Sequence, residues 1–233
     1  LRRLTLDSCF YDPKECQPLQ RISSTLTQLR WISEPLPDSL PSLTALRSLT
    51  IGNPEVDPFH KGYIQDLEAV LPQLAHLTQL IFNPTECLPA TLSALQQLSS
   101  LCIVWVEEAD PLPAGSWLRS VRRLAANSGL LAASLPNLGW ADGLKDLGVF
   151  VFKDDDDMVS NLRSIVDWAA QQPHLQRLLI DHRSGEDPAD SVPLPPQPGF
   201  QHGSGFMYNI LFPSDVSDDE DRFATSDDSV DEE

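Results

Sequence analysis

One spacing returns eight times along this chain: an aliphatic residue, a second three positions later, and a third two positions after that. It runs Leu1, Leu4, Leu6, then Leu26, Leu29, Trp31, then Leu46, Leu49, Ile51 and Leu77, Leu80, Phe82. It continues through Leu98, Leu101, Ile103, then Val121, Leu124, Ala126, then Leu144, Leu147, Val149 and Leu175, Leu178, Ile180. Successive starts lie 25, 20, 31, 21, 23, 23 and 31 residues apart. The last two apolar positions alternate with their neighbours, which predicts a short strand with one buried face. A unit of this length has no core of its own. It buries its apolar side only against the next unit, so the units must stack.

A second pattern leads into several of these heads. Leu36, Pro37, Leu40, Leu43, Leu46 and Leu88, Pro89, Leu92, Leu95, Leu98 place a leucine every three residues. Residues three apart eclipse in a 3₁₀ helix, so these stretches predict a 3₁₀-like return segment. Proline is accommodated in the first turn, where its missing N–H costs nothing. Two units are long. The stretches Gly62–His76 and Asp156–Gln172 carry apolar residues at helical spacing and predict α-helices of about three to four turns. Asp154–Asp157 precedes the second, where acids favour the helix dipole; without the spaced oxygen ligands of a calcium loop, the run reads as a solvated helix start.

The eight heads, with the L-P-x-x-L lead-in, resemble the leucine-rich-repeat family over residues 1–183, in an irregular form nearest its plant-like or bacterial-like subtype. The resemblance implies an α/β solenoid shaped as an arc. Short parallel strands would line its concave face, with 3₁₀ and α segments on the convex face. The chain departs from the family at the position three residues after the second strand leucine, where Asn or Cys is usual. Only Cys9 matches; Glu34, Pro54, Gly129 and Phe152 stand elsewhere. The turns must then be satisfied by other groups. Because residue 1 already sits in a repeat, a capping segment, further repeats or another domain is expected upstream.

Residues 184–205 are rich in Pro and Gly and read as a linker. Residues 206–212 are an apolar segment, expected to cover the last repeat or to serve as a docking motif. In 213–233, ten acids and one arginine supply −9 of the chain's net −18, which predicts a disordered acidic tail. Ser217, Thr225 and Ser229 each have an acid three residues on, the pattern of acidophilic-kinase substrates, and are candidate phosphorylation sites.

Residues beside the buried strand positions face the concave surface. From the fourth unit onward they form an apolar stripe of Ile81, Cys102, Val104, Phe150 and Leu179, with Trp105 at the strand edge and Arg123 and Arg177 beside it. Aromatic, apolar and arginine side chains together are the composition of a protein-binding hot spot. These eight residues are the candidate partner-binding site, expected to be exposed.

The acidity argues against nucleic-acid binding, which needs Lys and Arg to displace counterions. No apolar run approaches the ~18 residues of a membrane span. The four cysteines lack zinc-ligand spacing, the five histidines are scattered, and neither a phosphate loop nor a nucleophile elbow is present. No cofactor, metal or catalytic residue is therefore expected. The cysteines read as reduced thiols and no N-glycosylation sequon is present, so a cytoplasmic or nuclear location is expected; the chain is also expected to be a monomer. The expected function is a non-catalytic protein–protein interaction module. The alternatives are the substrate-recognition repeats of an F-box-type ubiquitin ligase receptor and the ectodomain fragment of a leucine-rich-repeat membrane receptor.

Overall fold

A computed structural model describes residues 1–6, 18–32, 36–52, 64–83, 90–104, 110–152, 157–182, 192–195 and 199–203. These residues form one sheet of nine parallel strands in chain order, β1 to β9. The strands are β1 (Arg3–Leu6), β2 (Gln28–Trp31), β3 (Ser48–Ile51), β4 (Gln79–Phe82), β5 (Ser100–Ile103), β6 (Arg123–Asn127), β7 (Asp146–Val151), β8 (Arg177–His182) and β9 (Phe200–Gly203). Each of the eight spacings read from the sequence contributes one strand. They stack in register: Leu4, Leu29, Leu49, Leu80, Leu101, Leu124, Leu147 and Leu178 stand rung against rung.

That leucine row, with the apolar residues two positions on, forms one face of the sheet. The return segments pack on it, contributing Leu40, Leu43, Leu71, Leu74, Leu92, Leu95 and Leu118 to one continuous core. The three-residue leucine period has its cause in the hydrogen bonds. Leu43 N–H donates to the Leu40 carbonyl and Leu46 N–H to that of Leu43. Leu74 and Leu77 repeat the pattern from Leu71, and Leu95 and Leu98 from Leu92. Every bond spans three residues, so successive leucines point the same way, into the core.

Consecutive units are also tied where each strand begins. The carbonyl of the residue before a strand accepts two N–H groups from the next unit: Thr27 takes Arg47 and Ser48, Arg47 takes Thr78 and Gln79, and Thr78 takes Ser99 and Ser100. The hydroxyls of Thr27, Thr78 and Ser99 double this bond by donating to the preceding carbonyl at 3.0 Å. This ladder supplies, on the entry side of the strands, unit-to-unit hydrogen bonding of the kind that the sparse Asn and Cys positions leave short.

Three helices fill the longer connections. α1 (Pro18–Arg21) is a single turn. α2 (Ile64–Val70) has seven residues, shorter than the three to four turns expected, because Pro72 ends it. The proline lacks the N–H for the next helical bond and its ring crowds the carbonyl four residues back, so the chain continues as a 3₁₀ turn over Leu71–Gln73. α4 (Met158–Ala170) lies within the expected Asp156–Gln172 and buries Leu162, Ile165, Val166 and Ala169.

The fourth helix, α3 (Ser128–Leu138), was not expected from the apolar spacing. It starts directly from β6, where the Asn127 side chain accepts the Leu130 N–H at 3.3 Å and caps it. Leu130 and Leu131 are fully buried. Ser134 then bridges two connections: its hydroxyl donates to the Leu130 carbonyl and accepts the Leu112 N–H at 2.9 Å. Asn137 donates to the Leu112 carbonyl at 2.8 Å.

The sheet also runs one strand past residue 183. β9 lies inside the stretch read as a 184–205 linker and pairs with β8, Leu178 facing Phe200 and Asp181 facing Gly203. Gly199 makes this possible: its φ is +93°, and a Cβ there would collide with the Gln176 carbonyl. The expected 206–212 segment and 213–233 tail lie outside the described residues.

Candidate functional site

The face of the sheet opposite the core carries three parallel rows, each built by the two-residue alternation of the strands. The first row is polar. Ser100, Arg123, Asp146 and Arg177 stand at one level on β5 to β8. Arg123 Nε donates to the Ser100 hydroxyl at 2.9 Å. Arg177 clasps Asp146 with two bonds, Nε to Oδ1 at 2.7 Å and Nη2 to Oδ2 at 2.9 Å. Asp146 is buried while the Arg177 side chain is 41% exposed. The hydrogen bond to Asp146 holds the Arg177 guanidinium above its ordinary pKa, against the opposing pull of burial. Both arginines expected to orient a partner are thus engaged within the sheet.

The second row is Ile81, Cys102, Ala125, Gly148 and Leu179, on β4 to β8. Bulky residues stand at its two ends and small ones between. The third row brings Asn127, Phe150 and Asp181 level, with Val104 just beyond β5. Ile81, Cys102, Val104, Ala125, Phe150 and Leu179 form a second apolar cluster, separate from the core, with Phe152 packed against it. Five of the eight predicted site residues are thereby brought together: Ile81, Cys102, Val104, Phe150 and Leu179. Arg123 and Arg177 flank them, and Trp105 lies outside the described residues, as do Ser217, Thr225 and Ser229.

The stripe is buried, contrary to the expected exposure. Cys102, Ala125 and Phe150 are 0% exposed and the most open member, Leu179, is 7% exposed. Ala125 and Gly148, left out of the expected stripe, complete the middle of the row. Their signal was present, since both occupy the same strand position as Cys102. The opposite end of this face differs. Arg3 and Thr5 are exposed, and Gln28, Arg30 and Ser48 are half-buried.

A further polar pair closes the sheet's last edge. His182 Nε2 and His202 Nδ1 lie 3.3 Å apart across β8 and β9. Burial lowers the pKa of His182, the neighbouring His202 lowers it further, and Asp181 opposes both. Burial also lowers that of His202, against a hydrogen bond with the Val192 backbone. Among the described residues, no cluster of three or more His, Cys, Asp or Glu is placed to hold a metal, and no helix is long and apolar enough to cross a membrane. No family model matches the chain, and no curated protein matches it.

Proposed function

We propose that the chain is a non-catalytic protein–protein interaction module, built as a leucine-rich-repeat solenoid, that holds a protein partner on the sheet face opposite its core. The observation that carries this reading is the division of labour between the two faces. One face is consumed by the leucine rows and return segments. The other carries in-register rows that are polar over β1 to β3, with Arg3 and Thr5 exposed and Gln28, Arg30 and Ser48 half-buried, and that join a polar row to a buried apolar cluster over β4 to β8. On stacked-repeat scaffolds a surface of this extent suits a macromolecular partner better than a small molecule. The accessible residues Arg3, Thr5, Gln28 and Arg30 would make first contact.

The test is affinity capture from native lysate with mass spectrometry. The chain is compared with an Arg3→Glu/Arg30→Glu variant and with Val159→Glu, a substitution at an exposed position of α4. Proteins kept by Val159→Glu and lost from the double variant support the reading. Identical captures from all three overturn it.

A further inference from the structure

Acids outnumber cations 34 to 16 in this chain, yet the edge where the strands begin reverses that balance. The carbonyl ladder from Arg2 to Gln176 defines eight equivalent places, one just before each strand from β1 to β8. Arg2, Arg47, Arg122 and Lys145 hold four of them, all exposed, and none of the eight holds an acid. The cations gather most closely at the turn 140–145 between α3 and β7. Arg122 and Lys145 sit on adjacent rungs, the Lys145 N–H donating to the Arg122 carbonyl. The Arg122 guanidinium lies against Gly143, where a Cβ would overlap it. Arg119, also exposed, holds its guanidinium carbon 5.4 Å from the centre of the Trp140 ring. Trp140 is 44% exposed, one of three large apolar side chains so open among the described residues. A small cleft opens on the same turn, walled in part by Ala141, Leu144, Trp168 and Leu175.

We propose that this corner of the sheet binds an acidic polypeptide segment of a partner protein. Arg122 and Lys145 take its carboxylates, and Trp140, backed by Arg119, takes an apolar side chain that the carboxylates flank. Lys and Arg side chains are donors only, so an exposed pair of them is complementary to anions. Among the described residues no side-chain hydrogen bond or ion pair engages Arg122 or Lys145, and Asp142 is the single acid of the turn. Tryptophan beside arginine is the pairing on which binding energy concentrates. The net charge of −18 does not oppose such a contact at physiological salt. The Debye length there is about 8 Å, so more distant acids are largely screened while ions in contact keep their attraction. A nucleic acid fits less well, because each neutralised phosphate takes a cation and the flanking ladder places, Ser99 and Gln176, are uncharged. The corner shares no residue with the outer-face contacts proposed above, so either surface can fail alone.

The test selects a random peptide library, displayed on phage, against the full chain in about 150 mM salt. Enriched peptides are expected to carry an excess of Asp and Glu beside an aromatic or large aliphatic residue. The most enriched peptide is then made with a fluorescent label and its binding measured by anisotropy. Arg122→Glu and Lys145→Glu are each expected to weaken it about tenfold, and Trp140→Ala about fivefold. Arg163→Glu, the same change of charge at an exposed position of α4, should alter it less than about twofold. A cooperative thermal transition retained in each variant separates loss of binding from loss of fold. No enrichment, enriched peptides without an acidic excess, or equal weakening by Arg122→Glu and Arg163→Glu overturns the proposal. So does an oligothymidylate of the peptide's charge that binds more tightly than the peptide and loses affinity in Arg122→Glu, which would assign the corner to nucleic acid.

Discussion

The units around β1 to β3 and those around β6 to β8 share one leucine row but differ in nearly everything attached to it. The first three strands have four residues each, and a 3₁₀ turn leads into β3. Their outer face is polar, exposed at Arg3 and Thr5, half-buried at Gln28, Arg30 and Ser48, and buried at Thr50. The later strands have five, six and six residues, are followed or preceded by the helices α3 and α4, and bury an apolar outer face. The hydroxyl-doubled bonds between units occur at Thr27, Thr78 and Ser99; the corresponding places later in the chain hold Arg122, Lys145 and Gln176. A repeated core therefore specifies the stacking and leaves both the backing and the outer surface free to diverge. The backbone bonds between units run into the later repeats as well; what is lost there is the hydroxyl that doubles them, and what is gained is the packing of α3 and α4.

That contrast is open to direct tests. The largest effect is expected from Leu124→Ala in the later region, which removes a fully buried rung and should cost about 2–5 kcal/mol in urea unfolding. Leu4→Ala, at the partly exposed first rung, should cost well under half as much. Equal losses would break the distinction between a packed interior and an open end. Next, Ser134→Ala strands the buried Leu112 N–H and should cost roughly 1–3 kcal/mol. Hydrogen exchange should show the loss centred on α3 and the 110–113 segment, with β1 to β3 unaffected.

A pH effect should be confined to the far edge. His182 and His202 have pKa values below the ordinary 6.5 in the folded chain, so the unfolded chain binds their protons first. Their contribution to stability is full above pH 6.5 and is lost as the pH falls through their lowered values. The protection of β9 amides, taken relative to their intrinsic exchange rate at each pH, should fall on acidification from pH 7.5 to 5 before that of β1 to β3 does, and His202→Phe should flatten that dependence. The smallest effect is expected from Thr78→Val, which deletes one hydroxyl bond to the Arg47 carbonyl and leaves the N–H bond in place. About 0.5 kcal/mol should be lost, measured by thermal unfolding.

The strand positions were legible because alternation and the three-residue lead-in are local consequences of backbone geometry. A leucine at every second strand position, or at every third return position, can point only one way. α3 was harder to read, since Leu130, Leu131, Ser134 and Leu138 mix a buried hydroxyl with the apolar residues; its Asn127 cap was the available sign. The length of α2 was misjudged by weighing periodicity above Pro72. β9 escaped notice because four residues without an aliphatic pair, FQHG, become a strand only when β8 offers an edge.

The sequence by itself determined the number and register of eight strands and which of their faces forms the main core. The same residues that carry this information also meet their neighbours at fixed spacing. Only the tertiary structure decided that the outer stripe is buried, that Arg177 holds Asp146, and that a ninth strand extends the sheet. Each of these depends on groups brought together from residues 20 or more apart, as with Asp146 and Arg177 at 31 and His182 and His202 at 20. Periodicity tells which side of a strand a residue occupies; what lies over that side is set by the rest of the chain.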